Sequence, residues 1–233
     1  MHITYLQGWS FNSDIWPDYC HTPNAHFPLH HPWPDNYSLD KLLRFLALHN
    51  KKTVLVGWSL GGMLALETAF RHPNNVAGLI LVGTTPRFLT APDFPHGQSA
   101  GALRQLKRQV LRTPSTAIAS FRRQIDSDAF SMLADEPSPL ELESHLLGLD
   151  YLAATDLRPL LGQITLPCHI IHGTQDQICP YRAAVYLAAQ LPGARLHAFS
   201  ESGHAPFLNE KNKFQILLES IFRQFEGSNS HVG

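Results

Sequence analysis

The stretch Thr53-Val54-Leu55-Val56-Gly57-Trp58-Ser59-Leu60-Gly61-Gly62-Met63-Leu64-Ala65-Leu66-Glu67-Thr68-Ala69-Phe70 decides the fold. Its first four residues are apolar or β-branched, as in a buried strand, and its last eight favour a helix. Between them Gly57-Trp58-Ser59-Leu60-Gly61 is a G-x-S-x-G pentapeptide at a strand-to-helix turn. Such a turn strains the serine backbone and exposes its hydroxyl at the end of the sheet. Gly57 and Gly61 suit places where strand and helix backbones come too close for a Cβ. The alternative is a glycine-bracketed loop with an ordinary serine, and the flanking strand and helix patterns argue against it.

Outward from this turn, the chain reads as alternating strands and helices. Ile3-Thr4-Tyr5-Leu6 reads as a short strand ending at Gln7-Gly8-Trp9. Residues 10–37 are rich in Pro, His and aromatics and read mainly as loop, with a weak strand near Ala25 to Leu29. Ser38 suits the N-cap of a helix carrying Leu42, Leu43, Phe45 and Leu46. Val76 to Val82 is a continuous apolar run, as expected of a strand buried on both faces of a parallel sheet. Residues 87–155 change character: helical patterns broken by Pro114, Pro137 and Pro139, with no strand evident. Alternation then resumes, with strands at Cys168 to His172 and Arg195 to Phe199 and helices at Tyr181 to Gln190 and Lys211 to Phe225. The expected architecture is an α/β core from residues 1–86 and 156–233, its parallel sheet overlaid at the C-terminal edge by a helical cap of residues 87–155.

Composition narrows the function classes. The 233 residues suffice for one α/β domain, and 44% hydrophobic content is globular. A net charge of −1 carries no global footprint for nucleic acid. Three scattered cysteines (Cys20, Cys168, Cys179) support neither a disulfide framework nor a cysteine zinc site, and their odd number fits a reducing compartment. With no signal-like N-terminus and no membrane-length apolar run, the expectation is a soluble, cytoplasmic protein without membrane partners. His21, His26, His30 and His31 crowd one segment with Cys20, but their spacing follows no common ligand pattern, so no metal site is expected. There is no P-loop, dinucleotide fingerprint or phosphate-binding glycine loop, and no cofactor is expected.

A serine nucleophile at neutral pH needs a base, and the base needs an orienting carboxylate, here in the chain order nucleophile, acid, histidine. Asp176 follows the strand 168–172 on a loop with Gly173, and a carboxylate there faces the same rim as Ser59. Standing alone it would read as an ordinary turn aspartate. His204 follows the strand 195–199 in Ser202-Gly203-His204-Ala205-Pro206-Phe207. Hydrolysis also needs donors for the tetrahedral oxyanion. The backbone N–H of Leu60, next after the nucleophile, is one candidate. The backbone N–H of Trp9, on the loop after the first strand, is the other; Gly8-Trp9 could equally be a core aromatic beside a turn.

Leu6-Gln7-Gly8-Trp9, Gly57-Trp58-Ser59-Leu60-Gly61-Gly62, Thr85-Pro86-Arg87-Phe88, Asp156-Leu157-Arg158, His172-Gly173-x-x-Asp176 and Gly203-His204-Ala205-Pro206-Phe207 together resemble one family across nearly the whole chain. It is the pimeloyl-acyl-carrier-protein methyl ester carboxylesterases of biotin synthesis, in the α/β-hydrolase superfamily. The resemblance implies the α/β-hydrolase fold and a serine esterase with Ser59, Asp176 and His204 as triad. It also implies Trp9 and Leu60 as oxyanion and substrate contacts, and a cap helix near Phe121 to Ile125 bordering the acyl channel. The chain departs from the family at Gln7-Gly8, where His-Gly is usual, and at Ser10, where glycine is common. Its sheet is expected to hold about six strands, shortened at the N-terminal side, rather than the usual eight.

Charge adds a further expectation. Residues 87–125 hold Arg87, Arg104, Lys107, Arg108, Arg112, Arg122 and Arg123 against the single acid Asp93, while the remainder holds 11 basic and 18 acidic residues. Arg104, Arg108 and Arg112 recur every four residues, a spacing that costs an isolated helix about 0.2–0.5 kcal/mol per pair. Either this is a solvated helix face, or Arg104, Lys107, Arg108, Arg112, Arg122 and Arg123 dock an acidic partner such as an acyl carrier protein. Two other functions stay open: an esterase, thioesterase or carbon–carbon bond hydrolase for small molecules, and a non-catalytic ligand-binding homologue.

Overall fold

The computed structural model describes residues 1–28, 42–46, 52–126, 129–130, 132 and 135–229. Six strands form one all-parallel sheet: β1 (His2–Leu6), β2 (Ala25–His26), β3 (Thr53–Trp58), β4 (Val76–Val82), β5 (Cys168–Gly173) and β6 (Arg195–Phe199), in the order β2-β1-β3-β4-β5-β6. The β3 residues are buried throughout and β4 almost so, which explains why both read as unbroken apolar runs rather than alternating ones. The weak strand expected over 25–29 is only two residues long. The strand order reverses between β1 and β3, so the loops leaving these strands diverge to open a crevice at the carboxyl edge, where parallel α/β sheets place their ligands.

Helix α1 (Leu60–Arg71) follows β3, α5 (Tyr181–Gln190) follows β5, and the short α6 (Pro206–Asn209) and long α7 (Lys211–Asn229) follow β6. Residues 42–46 are helical with Leu42 and Leu46 buried; the expected cap Ser38 lies outside the described residues. The core is centred on the sheet, with Tyr5, Trp16, Trp58, Phe199, Phe207 and Phe214 among its fully buried side chains. Among the described residues no helix is long and apolar enough to cross a membrane.

Between β4 and β5 lie α2 (Ala100–Arg112), α3 (Pro114–Ile125) and α4 (Pro139–Ala154). The helical stretch does break at two of the prolines, each of which begins the next helix. Pro114 and Pro139 open α3 and α4, where a missing N–H costs nothing. Ser138 and Glu141 close a reciprocal capping box on α4, and the Ser99 hydroxyl accepts from Ala102 N–H at the start of α2. Among the described residues of 87–155 no strand forms, as expected, but the segment before α2 carries isolated β-bridges Leu89–Gln98 and Ala91–Phe94. A third bridge, Arg87–Asp156, joins the two ends of the insertion. There the Asp156 carboxylate accepts from Arg87 Nη1 at 2.6 Å and from Arg158 Nε and Nη2 at 2.8 and 2.7 Å. The Arg158 hydrogen bonds, with those of Arg87, hold the Asp156 carboxyl down at about 2 against the opposing effect of burial.

Candidate active site

The parallel register fixes which loops meet. Leu6 pairs with Gly57, Trp58 with Val82, Val82 with Ile171, and Gly173 with Phe199. All strand ends therefore share one edge, and the four segments leaving it carry Gln7–Ser10, Ser59, Asp176 and His204.

Ser59 occupies the turn with φ 56° and ψ −120°, a conformation costing a side-chain-bearing residue about 1–3 kcal/mol. Hydrogen bonds hold it there. Its N–H donates to Val82 O at 2.9 Å, and its carbonyl accepts from Gly62 N–H at 3.0 Å and from the Thr84 hydroxyl at 2.6 Å. The turn is possible only because its glycines are bare. A Cβ on Gly57 would lie 2.5 Å from Gly61 O, and one on Gly61 would lie 2.1 Å from Leu6 O. Leu60 is the first residue of α1, where backbone N–H groups point outward and the helix dipole favours negative charge.

Asp176 is buried with all its acceptor positions used. One carboxylate oxygen accepts from Ile178 and Cys179 N–H at 2.8 and 2.9 Å. The other lies 2.8 Å from His204 Nδ1 and 3.2 Å from His172 Nε2. Burial opposes its ionisation, but the charge and hydrogen bonds of His204, with those of His172, hold the carboxyl well below the usual carboxylate range. A carboxylate can only accept, so Nδ1 of His204 carries a proton, and in the neutral ring Nε2 keeps a lone pair. His172 Nε2 faces only acceptors, Asp176 and Cys179 O at 2.7 Å, so it too is the protonated nitrogen. The His204 loop is tied to the serine turn by Trp58, whose indole N–H donates to His204 O at 2.8 Å.

The Gln7–Ser10 loop passes directly over the serine. A Cβ on Gly8 would lie 3.2 Å from Ser59 Cβ. The Trp9 indole is buried, edge-on to Phe121 at 4.8 Å, and its N–H donates to His145 O of α4 at 2.8 Å. The Trp9 side chain is thus a packed aromatic, and the backbone at Gly8 borders Ser59. Burial, and then the nearby Arg122 charge, push the His145 imidazole down to about 4, so it is neutral at pH 7.

This geometry can carry out nucleophilic acyl transfer: a strained serine at a helix N-terminus, an imidazole oriented by a buried carboxylate, and backbone donors nearby. The family model for the alpha/beta hydrolase fold matches residues 16–211. The chain belongs to the alpha/beta hydrolase fold family. It is 35% identical over 184 residues to a pimeloyl-acyl-carrier-protein methyl ester esterase of Aromatoleum aromaticum, covering 73% of this chain and 74% of that one. To the enzyme of the same name from Nitrosomonas europaea it is 31% identical, with 94% of each chain covered. Among solved structures, an esterase from Exiguobacterium antarcticum superposes with a TM-score of 0.78 at 24% identity, over 96% of this chain and 92% of that one, a likeness of fold.

Three contributors escaped the sequence reading: His172, Thr84 and His145. His172 precedes Asp176 by four residues at the strand end, and that spacing was the available signal. The basic residues of the insertion divide. Arg104, Arg108 and Arg112 are exposed on α2, whereas Lys107 pairs with Asp150. Arg122, expected to dock a partner, instead turns inward, because its guanidinium donates to Ser10 O and lies over the Phe11 ring at 4.8 Å to the centroid. Of the histidine-rich segment, His26 Nε2 lies 3.1 Å from His2 Nδ1 and His21 stacks on Phe27, while His30 and His31 lie outside the described residues.

Proposed function

We propose that this ester hydrolase acts through Ser59, His204 and Asp176 on the methyl ester of a dicarboxylate chain, pimeloyl, borne by an acyl carrier protein in biotin synthesis. The observation that carries the reading is the buried Asp176–His204 pair at 2.8 Å, on the same sheet edge as the strained Ser59. His204 Nε2 takes the Ser59 proton as the oxygen attacks the ester carbonyl. The N–H groups of Leu60 and Trp9 receive the oxyanion. The proton then passes to the departing methoxide, releasing methanol, and water activated by the same imidazole frees the acid from the acyl-enzyme. The substrate is the one in the names of the relatives, whose length this chain matches closely.

Residues 87–155 act in this reading as a cap. A cavity of about 230 Å³ lies under α2 and α3, with Leu103, Leu106, Phe121 and Ile178 giving apolar walls and Gln105 and Gln124 a polar mouth. Ser59, Leu60 and His204 do not line it; Phe121, which packs on Trp9, and Ile178, whose N–H donates to Asp176, connect it to the site, and in this reading it takes the acyl chain. The exposed Arg104, Arg108 and Arg112 would steer an acidic carrier to its mouth. Two measurements test the reading. Ser59→Ala abolishes ester hydrolysis while the melting curve stays near that of the parent; retained turnover refutes the mechanism. Charge reversal of the three arginines lowers kcat/KM for the carrier-bound ester, at low salt, far more than for a small soluble ester; equal effects refute carrier docking.

A further inference from the structure

Among the described residues, the side-chain-bearing positions with positive φ are Ser59 and Ser10. Strain at Ser59 belongs to the serine turn. Ser10, at φ 68°, sits in the left-handed region that favours glycine, one residue past the backbone N–H assigned to the oxyanion. Something must hold it there, because the relaxed alternative would rotate the peptide next to Trp9.

Within the loop the Phe11 N–H donates to Gly8 O at 3.3 Å, closing a turn over Trp9 and Ser10, and further contacts on residues 9–11 come from the insertion. The Arg122 guanidinium of α3 donates to the Ser10 carbonyl and lies over the Phe11 ring at 4.8 Å, and Phe11 packs on Trp58 at 5.0 Å and Phe130 at 5.2 Å. From α4 the His145 carbonyl accepts the Trp9 indole N–H, and its ring lies against that indole at 5.7 Å. Two helices thus contact the loop just past the Gly8–Trp9 peptide, α4 at the Trp9 side chain and α3 at the Ser10 carbonyl.

We infer that Arg122 is a positioning residue for the oxyanion loop, holding Ser10 in its left-handed conformation so that the Trp9 N–H points at the developing oxyanion. Seating of the helical insertion and assembly of the oxyanion site are then one event. The inference rests on the assignment of the Trp9 N–H to the oxyanion. A guanidinium suits the task because it can stack on Phe11 and donate to a carbonyl at once. The effect belongs to the transition state, since only there is the oxygen charged.

The test uses Arg122→Met, which keeps the stem over Phe11 and removes the donor, and Arg122→Lys, which restores charge and one donor. Turnover of a small soluble methyl ester is measured per serine titrated to completion with a fluorophosphonate, so that misfolded protein is not counted. A misplacement of this kind costs about 10- to 100-fold in rate. The expected result is such a fall in kcat for Arg122→Met, with KM within about twofold of the parent, and recovery to within about fivefold by Arg122→Lys. Affinity for an alkylboronic acid, which forms a tetrahedral adduct on Ser59, falls in step with kcat. Should Arg122→Met not fold, Arg122→Gln is read under the same outcomes. A kcat per labelled serine within twofold of the parent, a loss confined to KM, or a loss that lysine does not recover overturns the inference. Ser59→Ala run alongside separates the two failures: if it retains turnover, the serine mechanism falls, and if it is inactive while Arg122→Met is unaffected, only this inference falls.

Discussion

Replacing Asp176 with asparagine tests the electrostatic design of the site most directly. The carboxylate accepts two backbone N–H groups on one oxygen, at 2.8 and 2.9 Å, and faces two imidazole nitrogens with the other, at 2.8 and 3.2 Å. Asparagine offers one acceptor oxygen and one NH2. If the oxygen stays with Ile178 and Cys179 N–H, the NH2 meets the protonated nitrogens of His204 and His172, donor against donor. If the amide flips, two buried backbone N–H groups face the NH2 instead, and each unsatisfied group costs about 1–3 kcal/mol. The first orientation has a relief that the second lacks: His204 can move its proton to Nε2, so that Nδ1 accepts from the amide. That relief removes the lone pair needed to take the Ser59 proton. The expected loss in kcat is therefore about 1,000- to 10,000-fold, the scale of a wrong-tautomer histidine. At about 1.36 kcal/mol per tenfold, this corresponds to about 4–5.5 kcal/mol of barrier. The assay is single-turnover hydrolysis of a small methyl ester by Asp176→Asn, with the His204 tautomer read from imidazole nitrogen shifts. A variant retaining more than about a tenth of parental kcat, or one keeping the proton on Nδ1, refutes the reasoning.

Gly61→Ala would place a methyl 2.1 Å from Leu6 O and 2.7 Å from Gln7 O, forcing β1 and α1 apart by about 1 Å to reach ordinary contact. Because backbone yields poorly, the cost falls at the upper end of overpacking, about 3 kcal/mol, or about 6–12 °C in melting temperature; an unchanged melt would contradict the close approach. For pH, burial first, then the charges of His197 and Arg195, lower His169 to about 4. The unfolded chain, titrating near about 6.5, binds a proton that the folded chain refuses, so stability is present above that value and is lost as pH falls toward 4. His169→Gln should flatten the fall in melting temperature across that window, and a slope equal to the parent's would rule the histidine out as its source.

The strand, turn and helix around Ser59 were legible because each is set by neighbours in sequence: β-branched run, glycines, helix formers. Asp176 and His204 were legible for the same reason, as each stands a few residues past a recognisable strand and parallel strands deliver their ends to one edge. The opposite limit appears at Arg122. Its charge was visible, but its partner Ser10 lies 112 residues away, and only the seating of α3 on the sheet brings the two together. His145 was silent for the same cause, since it contributes a backbone carbonyl to Trp9, and a carbonyl leaves no mark in sequence. Pro114 and Pro139 were legible as breaks between helices, and the serine cap before Pro139 was the clue that it opens one.

The distribution of strain explains why these long-range contacts matter. Ser10 and Ser59 each hold a backbone conformation that costs about 1–3 kcal/mol, and in the proposed mechanism both lie beside the developing oxyanion. Local hydrogen bonds close both turns, Gly62 N–H to Ser59 O at 3.0 Å and Phe11 N–H to Gly8 O at 3.3 Å, and distant donors add to them. Each is held by its carbonyl: Ser59 by Thr84, 25 residues on, and Ser10 by Arg122. Thr84 stands two residues past β4 and is buried beside the sheet, whereas Arg122 belongs to the insertion and is only as firm as its docking. On the proposed mechanism the nucleophile is thus built into the core, while the loop proposed to carry an oxyanion donor depends in part on a separate layer of helices. Loosening that layer, by denaturant too dilute to unfold the sheet, should then abolish ester turnover before it disturbs the Asp176–His204 pair.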